Sequence, residues 1–368
     1  MPSLDRPHLA SCHLRPLDSD PTEACVQLCI VGHTGQVGRA LLNLLEATAL
    51  DHLSGLNWRI AALANQSQVH WPQASRAPER RVPGDWPHIV ARFRQHRGPK
   101  FFVDCSADES VVAQYPLLLR HRISIITPNK LAFSASQSFY ASLQRIARQN
   151  GAGLHYETTV GASLPVLSTV RNLLRTGDRI TRVEACLSGT WSYLLNRIHL
   201  GIAFSQAVEE AQTLGYVEPD PAADLAGLDG RRKLLILLRE AGLTCEPADI
   251  TGDRPTPPGN RNLADCDSHW SKRVSEAVSR GQRLVYRAGF DGSHARVELV
   301  TVPAGSILAD LAPGENRVCF WTRRYSTTPL SIAGPGAGPE LTAAGVLLDM
   351  LRAEAGLRLV INPRERTH

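Results

Sequence analysis

Residues 26–31 (VQLCIV) form a short apolar run, followed at once by GHTGQVG and then RALLNLLEATAL. Strand, glycine turn and helix in that order open the chain as half of a parallel α/β layer. Gly32, Gly35 and Gly38 allow a tight turn, close approach of backbone to a pyrophosphate and close packing of helix on strand. Thr34, Gln36 and Val37 complete the turn. The helix N-terminus beyond it offers free N–H groups and a positive dipole end to phosphate. The spacing is G-x-x-G-x-x-G, not G-x-G-x-x-G, so alone the turn is a weak signal, and a glycine turn without a ligand is the plain alternative.

The continuation strengthens the first reading. A second strand, WRIAALA (58–64), ends in Asn65, Gln66 and Ser67, with no acid to take a ribose 2′-hydroxyl and with Arg76, Arg80 and Arg81 beyond. That tilts the cofactor toward NADP over NAD. A polar stretch runs through residue 99, then KFFVDCSA (100–107) reads as a strand, 109–120 as a helix and ISIITP (123–128) as a strand. Ser106, Thr127, Asn129 and Lys130 fall at strand carboxyl ends, where ligands sit in such sheets. A lysine just past a strand is equally at home as a surface charge. Strand and helix in alternation predict a doubly wound, Rossmann-type dinucleotide domain over residues 26–155, after a disordered tail at 1–25.

A helix is expected at 132–150 and another at 164–175, then a strand in RITRVEAC and a helix start after Ser188-Gly189-Thr190. Ser205 reads as the N-cap of a helix ending at Gly215. GYVEPDPAADLAGLDGRRK (215–233) follows, with Glu218, Asp220, Asp224 and Asp229 ahead of a basic triplet. Pro219 and Pro221 forbid a regular helix there, and the helical pattern resumes at Asp229. Asp229 and Lys233 are four apart, so on a helix they share a face. Such a stretch could hold an amino-group-bearing substrate or set an ammonium beside a carbonyl. A solvated, salt-bridged turn is the bland alternative. Later, RLVYRAGFDGSHARVELVTV reads as a hairpin turning at Asp291-Gly292, and GPGAG (334–338) precedes an amphipathic helix. That second glycine turn, Gly338 included, either lets backbone approach a ligand or is a tight crossover.

At 368 residues the length allows two or three domains, and 43% hydrophobic with 20% charged residues is ordinary for a globular enzyme. The net charge of +5 is spread along the chain without an aromatic-laced basic stripe, so nucleic acid is not an expected partner. The eight cysteines show no CxxC pair or metal spacing, which favours a reducing compartment. No stretch nears the ~20 apolar residues of a membrane helix, and the N-terminus lacks the apolar core of a signal peptide. Cytoplasmic is the default expectation.

In order, the segments VDCSA with TPNK, YETTVGASLP, LSGTWSYL, FSQAVEEAQTLGYVEPDPAADLAGLDGRRKLLILLREAGL and GPGAGPELTAAGV resemble homoserine dehydrogenase. The resemblance runs from about Val26 to about Leu357. It implies reduction of L-aspartate 4-semialdehyde to L-homoserine by NADPH or NADH, on the route to threonine and methionine. The implied fold is the dinucleotide domain plus an α+β substrate-binding and dimerisation domain with a mixed sheet (156–332), with a C-terminal segment (333–368) returning to the dinucleotide domain. Homodimers are usual in the family. Some members bind a monovalent cation such as Na+ through main-chain carbonyls matching Glu157, Val160, Ala162 and Leu164.

Carried over by position, Lys130 matches the lysine beside nicotinamide and aldehyde, and Lys233 the proposed proton donor. Glu218 and Asp229 match acids that hold the substrate amino group or orient the lysine. Thr190 matches a pocket-lining residue, with Asp224 and Tyr216 as its neighbours in the substrate site. The first glycine turn is one residue longer than in many relatives, DGRRK stands where DVARK is common, TPNKL where TPNKK is, and Ser163 where glycine is frequent. With neither an aspartate-kinase domain nor a C-terminal regulatory domain in the sequence, a monofunctional enzyme is expected. The rival reading, aspartate-semialdehyde dehydrogenase, needs an activated cysteine, and Cys105 and Cys186 are its candidates. A catalytically dead dinucleotide-binding protein is the non-enzymatic rival.

Overall fold

The computed structural model describes residues 25–48, 56–72, 79–80, 85–217, 221–252, 255 and 262–361. The expected tail, Glu218, Asp220, Arg76, Arg81 and most of the loop at 253–261 lie outside the described residues, as do the side chains of Arg80 and Asp224. The chain forms two compact units. One comprises Met1–Asn129, Ser142–Tyr156 and Val346–His368, the other Lys130–Ala141 and Glu157–Gly345.

Among the described residues the first unit is built on seven strands: β1 (Cys25–Val31), β2 (Asn57–Ala64), β3 (Gln68–His70), β4 (Glu79–Arg80), β5 (Lys100–Asp104), β6 (Ser124–Ile126) and β7 (Leu154–His155). Their order is β4-β3-β2-β1-β5-β6-β7. β1 runs parallel to both β2 and β5, and β6 and β7 extend the parallel set. β3 and β4 add an antiparallel edge, so the sheet is mixed. Val26, Leu28, Cys29 and Ile30 are all fully buried, because a central parallel strand is covered on both faces. Trp58 packs edge-on against Phe101, and Trp86 against Phe102. The strand order reverses at β1, which opens a crevice beyond the carboxyl ends of β1 and β5.

The helices here are α1 (Gln36–Ala47), α2 (Trp86–Arg94), α3 (Glu109–Val112), α4 (Tyr115–Arg120) and α5 (Gln137–Asn150), the last beginning in the second unit. Several expectations need correction. Cys25 already belongs to β1, not to a tail. The strand expected at 100–107 stops at Asp104, whose carboxylate folds the next residues into a turn. The helix expected at 109–120 is two short ones, with Pro116 in the first turn of α4, where its missing N–H costs nothing. The helix expected from 132 starts at Gln137, since a turn closes on the Lys130 carbonyl first.

The second unit holds α6 (Val166–Arg175), α7 (Gly189–His199), α8 (Phe204–Thr213), α9 (Ala222–Leu225), α10 (Leu228–Glu240) and α11 (Asp267–Ser279). Its described strands are β8 (Ile180–Cys186), β9 (Ile250–Thr251), β10 (Gln282–Phe290), β11 (Ala295–Pro303), β12 (Glu315–Thr322) and β13 (Leu330–Pro335), in the order β13-β12-β8-β10-β11-β9. β8 pairs antiparallel with β12 and β10, while β11 and β9 are parallel, so this sheet too is mixed. Trp191, Phe204, Trp270 and Tyr286 meet in one aromatic cluster that binds α7, α8 and α11 to β10. Ser205 is not a cap: Ala203 takes that place, and the Ser205 N–H and hydroxyl donate to the Asp267 carboxylate at 2.7 and 2.8 Å. α12 (Pro339–Ile361) starts in this unit and continues into the first.

Candidate active site

In the first unit a cleft of about 810 Å³ lies over the switch point, lined by Gly32, Thr34, Gly35, the end of β2 from Asn65 to Ser67, and residues 105–111. Gly32 sits at φ +76°, and a Cβ there would come within 2.8 Å of the Cys105 carbonyl group. A Cβ on Gly38 would collide with the Gly32 carbonyl oxygen and His33 Cα. The turn therefore packs backbone on backbone, and α1 opens without a side-chain cap or an acid in its first turn. Its first N–H groups are oriented for an anion. At the end of β2, Asn65 Oδ1 accepts from the Ser67 N–H, the Ser67 hydroxyl and the Gln68 N–H at 2.9, 3.2 and 2.8 Å. His33 Nδ1–H donates to the Ala64 carbonyl at 3.0 Å. Among the described residues the end of β2 is polar without a carboxylate, Asp108 and Glu109 lie elsewhere in the cleft lining, and with the glycine turn the cleft fits a dinucleotide.

Asp104 is fully buried beneath the cleft and accepts four hydrogen bonds. They come from the Ser106 N–H (2.8 Å), the Ser106 hydroxyl (2.6 Å), Tyr115 OH (2.7 Å) and Asn129 Nδ2 (3.1 Å). Burial raises its pKa, and these donors work against that rise. Thr127 Oγ1 donates to the Asp104 carbonyl at 2.7 Å and accepts the Asn129 N–H at 2.8 Å. One carboxylate thus ties together the ends of β5 and β6, including the residue just before Lys130.

In the second unit, Lys130, Asp229 and Lys233 meet. Gly227, at φ +71°, precedes α10, so Asp229 lies in the first helical turn and Lys233 one turn on. Asp229 Oδ2 is 2.7 Å from Lys233 Nζ, and Oδ1 is 3.3 Å from Lys130 Nζ. Burial pushes the Asp229 carboxyl up, but the two ammonium groups outweigh it and hold it well below the usual carboxylate range. Lys233 is nearly inaccessible, at 5% exposure, and burial lowers its pKa while Asp229 pulls it back up. Lys130, at 29% side-chain exposure, is the more open of the two lysines. Its turn is clamped to α10 by the buried Arg239, which donates through Nη1 to the Phe133 carbonyl at 2.8 Å.

Further polar contacts in the second unit surround this cluster. Lys233 Nζ also donates to the Leu187 carbonyl at 2.8 Å, at the point where β8 hands over to α7. Ser188 caps α7 by accepting the Trp191 N–H at 3.2 Å. Thr190 Oγ1 donates to the Tyr216 carbonyl at 2.8 Å. The Tyr216 ring stacks on Tyr193 with centroids 4.9 Å apart. Gly314, at φ +77°, leaves room for that ring, since a Cβ there would lie 2.6 Å from it.

The expected cation turn also lies in this unit. Gly161 and Ala162 take φ of +84° and +53° in succession, an unusual conformation for alanine. The carbonyls of Glu157 and Leu164 accept the N–H groups of Val160 and Val166. The Glu157 carboxylate is occupied with Ser168 and Arg171. Carbonyl oxygens are hard ligands of the kind a monovalent cation takes. Among the described residues no group of three His, Cys, Asp or Glu side chains could hold a metal.

Of the sequence candidates, Gly32, Thr34, Gly35, Gln36, Val37, Gly38 and Ser106 fall in the first unit. Lys130, Thr190, Tyr216, Asp229, Lys233 and Gly338 fall in the second. Asp224 is on α9. Sequence reasoning passed over Asp104, although an acid closing an apolar strand just before small residues was a usable signal. It also missed the Leu187 carbonyl, which no side-chain pattern could reveal. The rival thiols are unsuited to nucleophilic duty: burial pushes Cys186 up to about 12 and Cys105 still further. No described helix is long and apolar enough to cross a membrane.

The family profile "Homoserine dehydrogenase" matches residues 165–351, and "Homoserine dehydrogenase, NAD binding domain" matches residues 34–157. The chain is 36% identical over 347 residues to bifunctional aspartokinase/homoserine dehydrogenase 2, chloroplastic, of Zea mays, covering 86% of this chain and 37% of that protein. It is 38% identical over 285 residues to the homoserine dehydrogenase of Paracoccidioides brasiliensis (strain Pb18), covering 72% of this chain and 77% of that one. A hyperthermophilic archaeal homoserine dehydrogenase solved in complex with NADPH shares the fold, with a TM-score of 0.69, 22% identity and coverage of 90% of this chain and 98% of that one. The chain spans little more than a third of the length of the maize relative and about three quarters of the fungal one. Two family profiles in tandem and a fungal relative matched over most of its length lead to one conclusion: the chain belongs to the homoserine dehydrogenase family.

Proposed function

We propose that the protein reduces L-aspartate 4-semialdehyde to L-homoserine with NADPH, in the aspartate-derived route to threonine and methionine. The observation that carries this reading is the buried Lys233 ammonium paired with Asp229 and flanked by Lys130. When bound, the nicotinamide nucleotide supplies a hydride to the aldehyde carbon. Negative charge then grows on the carbonyl oxygen, and the chain's own task is to stabilise that charge and protonate it. Burial lowers the Lys233 pKa, which suits this ammonium to giving up a proton. An ammonium has three N–H donors. Lys233 gives one to Asp229 and one to the Leu187 carbonyl, which leaves one for the substrate oxygen. Lys130 adds a second positive charge on the far side of Asp229. The open face of Asp229, with Glu218, takes the substrate ammonium, and Thr190 and Tyr216 line its pocket. The backbone N–H groups at the start of α7 are suited to its carboxylate.

Preference for NADPH is supported by the carboxylate-free end of β2, where an acid would repel a 2′-phosphate. The NADPH complex of the archaeal relative is consistent with it. Gly32 to Gly38 and Ser106 are the nucleotide-holding residues of the first unit, and Lys130 and Gly338 are the cofactor candidates of the second. Na+ on the carbonyls of Glu157, Val160, Ala162 and Leu164 and assembly as a homodimer belong to the same reading. They are tested by the cation dependence of the rate and by light scattering. The direct test is loss of NADPH or NADH absorbance on adding the aldehyde to purified protein. Aldehyde-dependent oxidation, faster with NADPH, is the expected outcome. Well-folded protein that binds NADPH but turns over with neither nucleotide would move the assignment to a non-catalytic binding protein.

A further inference from the structure

We propose that Asn316 is a positioning residue for the proton donor, fixing Lys233 through a shared acceptor, the Leu187 carbonyl oxygen; the inference rests on the functional reading above. Asn316 is the second residue of β12 and is wholly buried. Its Nδ2 donates to the Leu187 carbonyl at 3.3 Å and to the Gly336 carbonyl at 3.5 Å. The first of these acceptors is the one that Lys233 Nζ reaches at 2.8 Å. A carbonyl oxygen has two lone pairs, so it serves both donors, and the amide holds it in place for the lysine.

The amide is retained at a cost. Among the described residues its buried Oδ1 has no hydrogen-bond partner, and an apolar side chain of the same shape would avoid that penalty. Turning the amide over would set Oδ1 against two carbonyl oxygens, so the orientation is fixed by its neighbours. Gly336 is laid directly over it: a Cβ there would overlap the Asn316 amide. β12, the end of β8 and the second glycine turn therefore converge on one side chain, and what they position is the main-chain oxygen that, with Asp229, determines which N–H of Lys233 stays free. The charged groups acting on Lys233 are Asp229 on its own helix and Lys130 after β6. Asn316 and the Leu187 carbonyl act on it from β12 and β8 as dipoles.

The test compares the full-length wild type with Asn316→Leu and Asn316→Asp, two near-isosteric changes that both remove the amide N–H donors. Expected for each is a roughly 10- to 100-fold fall in kcat, the scale of a displaced reacting group, with NADPH affinity unchanged within about twofold. The alkaline limb of kcat moves to higher pH, more for Asp than for Leu. Without the amide the Leu187 oxygen solvates the ammonium alone, and the carboxylate adds a favourable charge. A merely structural role lowers thermal stability and kcat but leaves the limb where it was, and that result, or a kcat near wild type, overturns the proposal. If Asn316→Leu does not fold, Asn316→Asp carries the same readings. Side-chain NMR titration of Lys233 in wild type and variants reads the shift independently of turnover. An inactive wild type would sink the functional reading, while an unmoved Lys233 titration would sink this one.

Discussion

On the proposed mechanism Lys233 must be charged to donate a proton, so reduction should be lost as pH rises through its pKa. Burial lowers that pKa, which places the alkaline limb of kcat below that of a solvated lysine. Its two charged neighbours pull in opposite directions. Asp229 raises the Lys233 pKa, so Asp229→Asn moves the limb to lower pH. Lys130 lowers it, so Lys130→Ala moves the limb to higher pH. Opposite shifts in the pH profiles of these two variants are the expected result, and shifts of the same sign would remove Lys233 as the titrating group. Lys233→Ala should cost about 10²–10⁴-fold in kcat, the usual worth of a general acid, with NADPH titrations unchanged. Lys233→Arg should stay near the alanine level, because a guanidinium keeps the charge but does not give up its proton at neutral pH.

At the scale of elements, the first glycine turn brings β1, β5 and α1 within backbone distance. Gly32→Ala meets both a positive φ and the Cys105 carbonyl group. It should weaken NADPH binding by roughly tenfold or more, given ~1–3 kcal/mol of backbone strain, as read by nucleotide fluorescence titration. β1, this turn and α1 were legible in the sequence because apolar run, glycine spacing and helical period agree. The hairpin of β10 and β11 was legible for a like reason, its turn residues lying between two apolar runs. β3 and β4 were not, since strands of three and two residues carry too little pattern. β12 escaped because Asn316, Val318, Cys319 and Phe320 are buried without clean alternation, and an asparagine opening a strand reads as part of a turn. Of the candidate site, the acid–lysine spacing on α10 could be read directly. The pairing of Asp229 with Lys130, about a hundred positions earlier, is set by tertiary structure and became visible only in the fold.

At the scale of the whole molecule, α12 belongs to both units. Val346, Leu347 and Met350 are buried in it, and so are Asp349 and Glu354. The part from Val346 onward belongs to the first unit. Ending the chain after Gly345 would forfeit ~1.5–3 kcal/mol for each of those three apolar side chains. That sum is comparable to the whole stability of a typical domain. The truncated protein should therefore lose NADPH binding and show an early calorimetric transition. Survival of nucleotide affinity would mean that the nucleotide unit folds without this segment.

The same interleaving bears on synthesis. Domains ordinarily fold in the order in which they leave the ribosome, the N-terminal one first. Here the nucleotide unit is left open until the 189 residues from Glu157 to Gly345 have been translated and the helix beyond them has emerged. At bacterial-to-eukaryotic elongation rates of ~5–20 residues per second, that is a wait of about 10 to 40 seconds. Throughout it, the apolar surface that the C-terminal segment will cover stands exposed, so the growing chain should be most prone to aggregation in that interval.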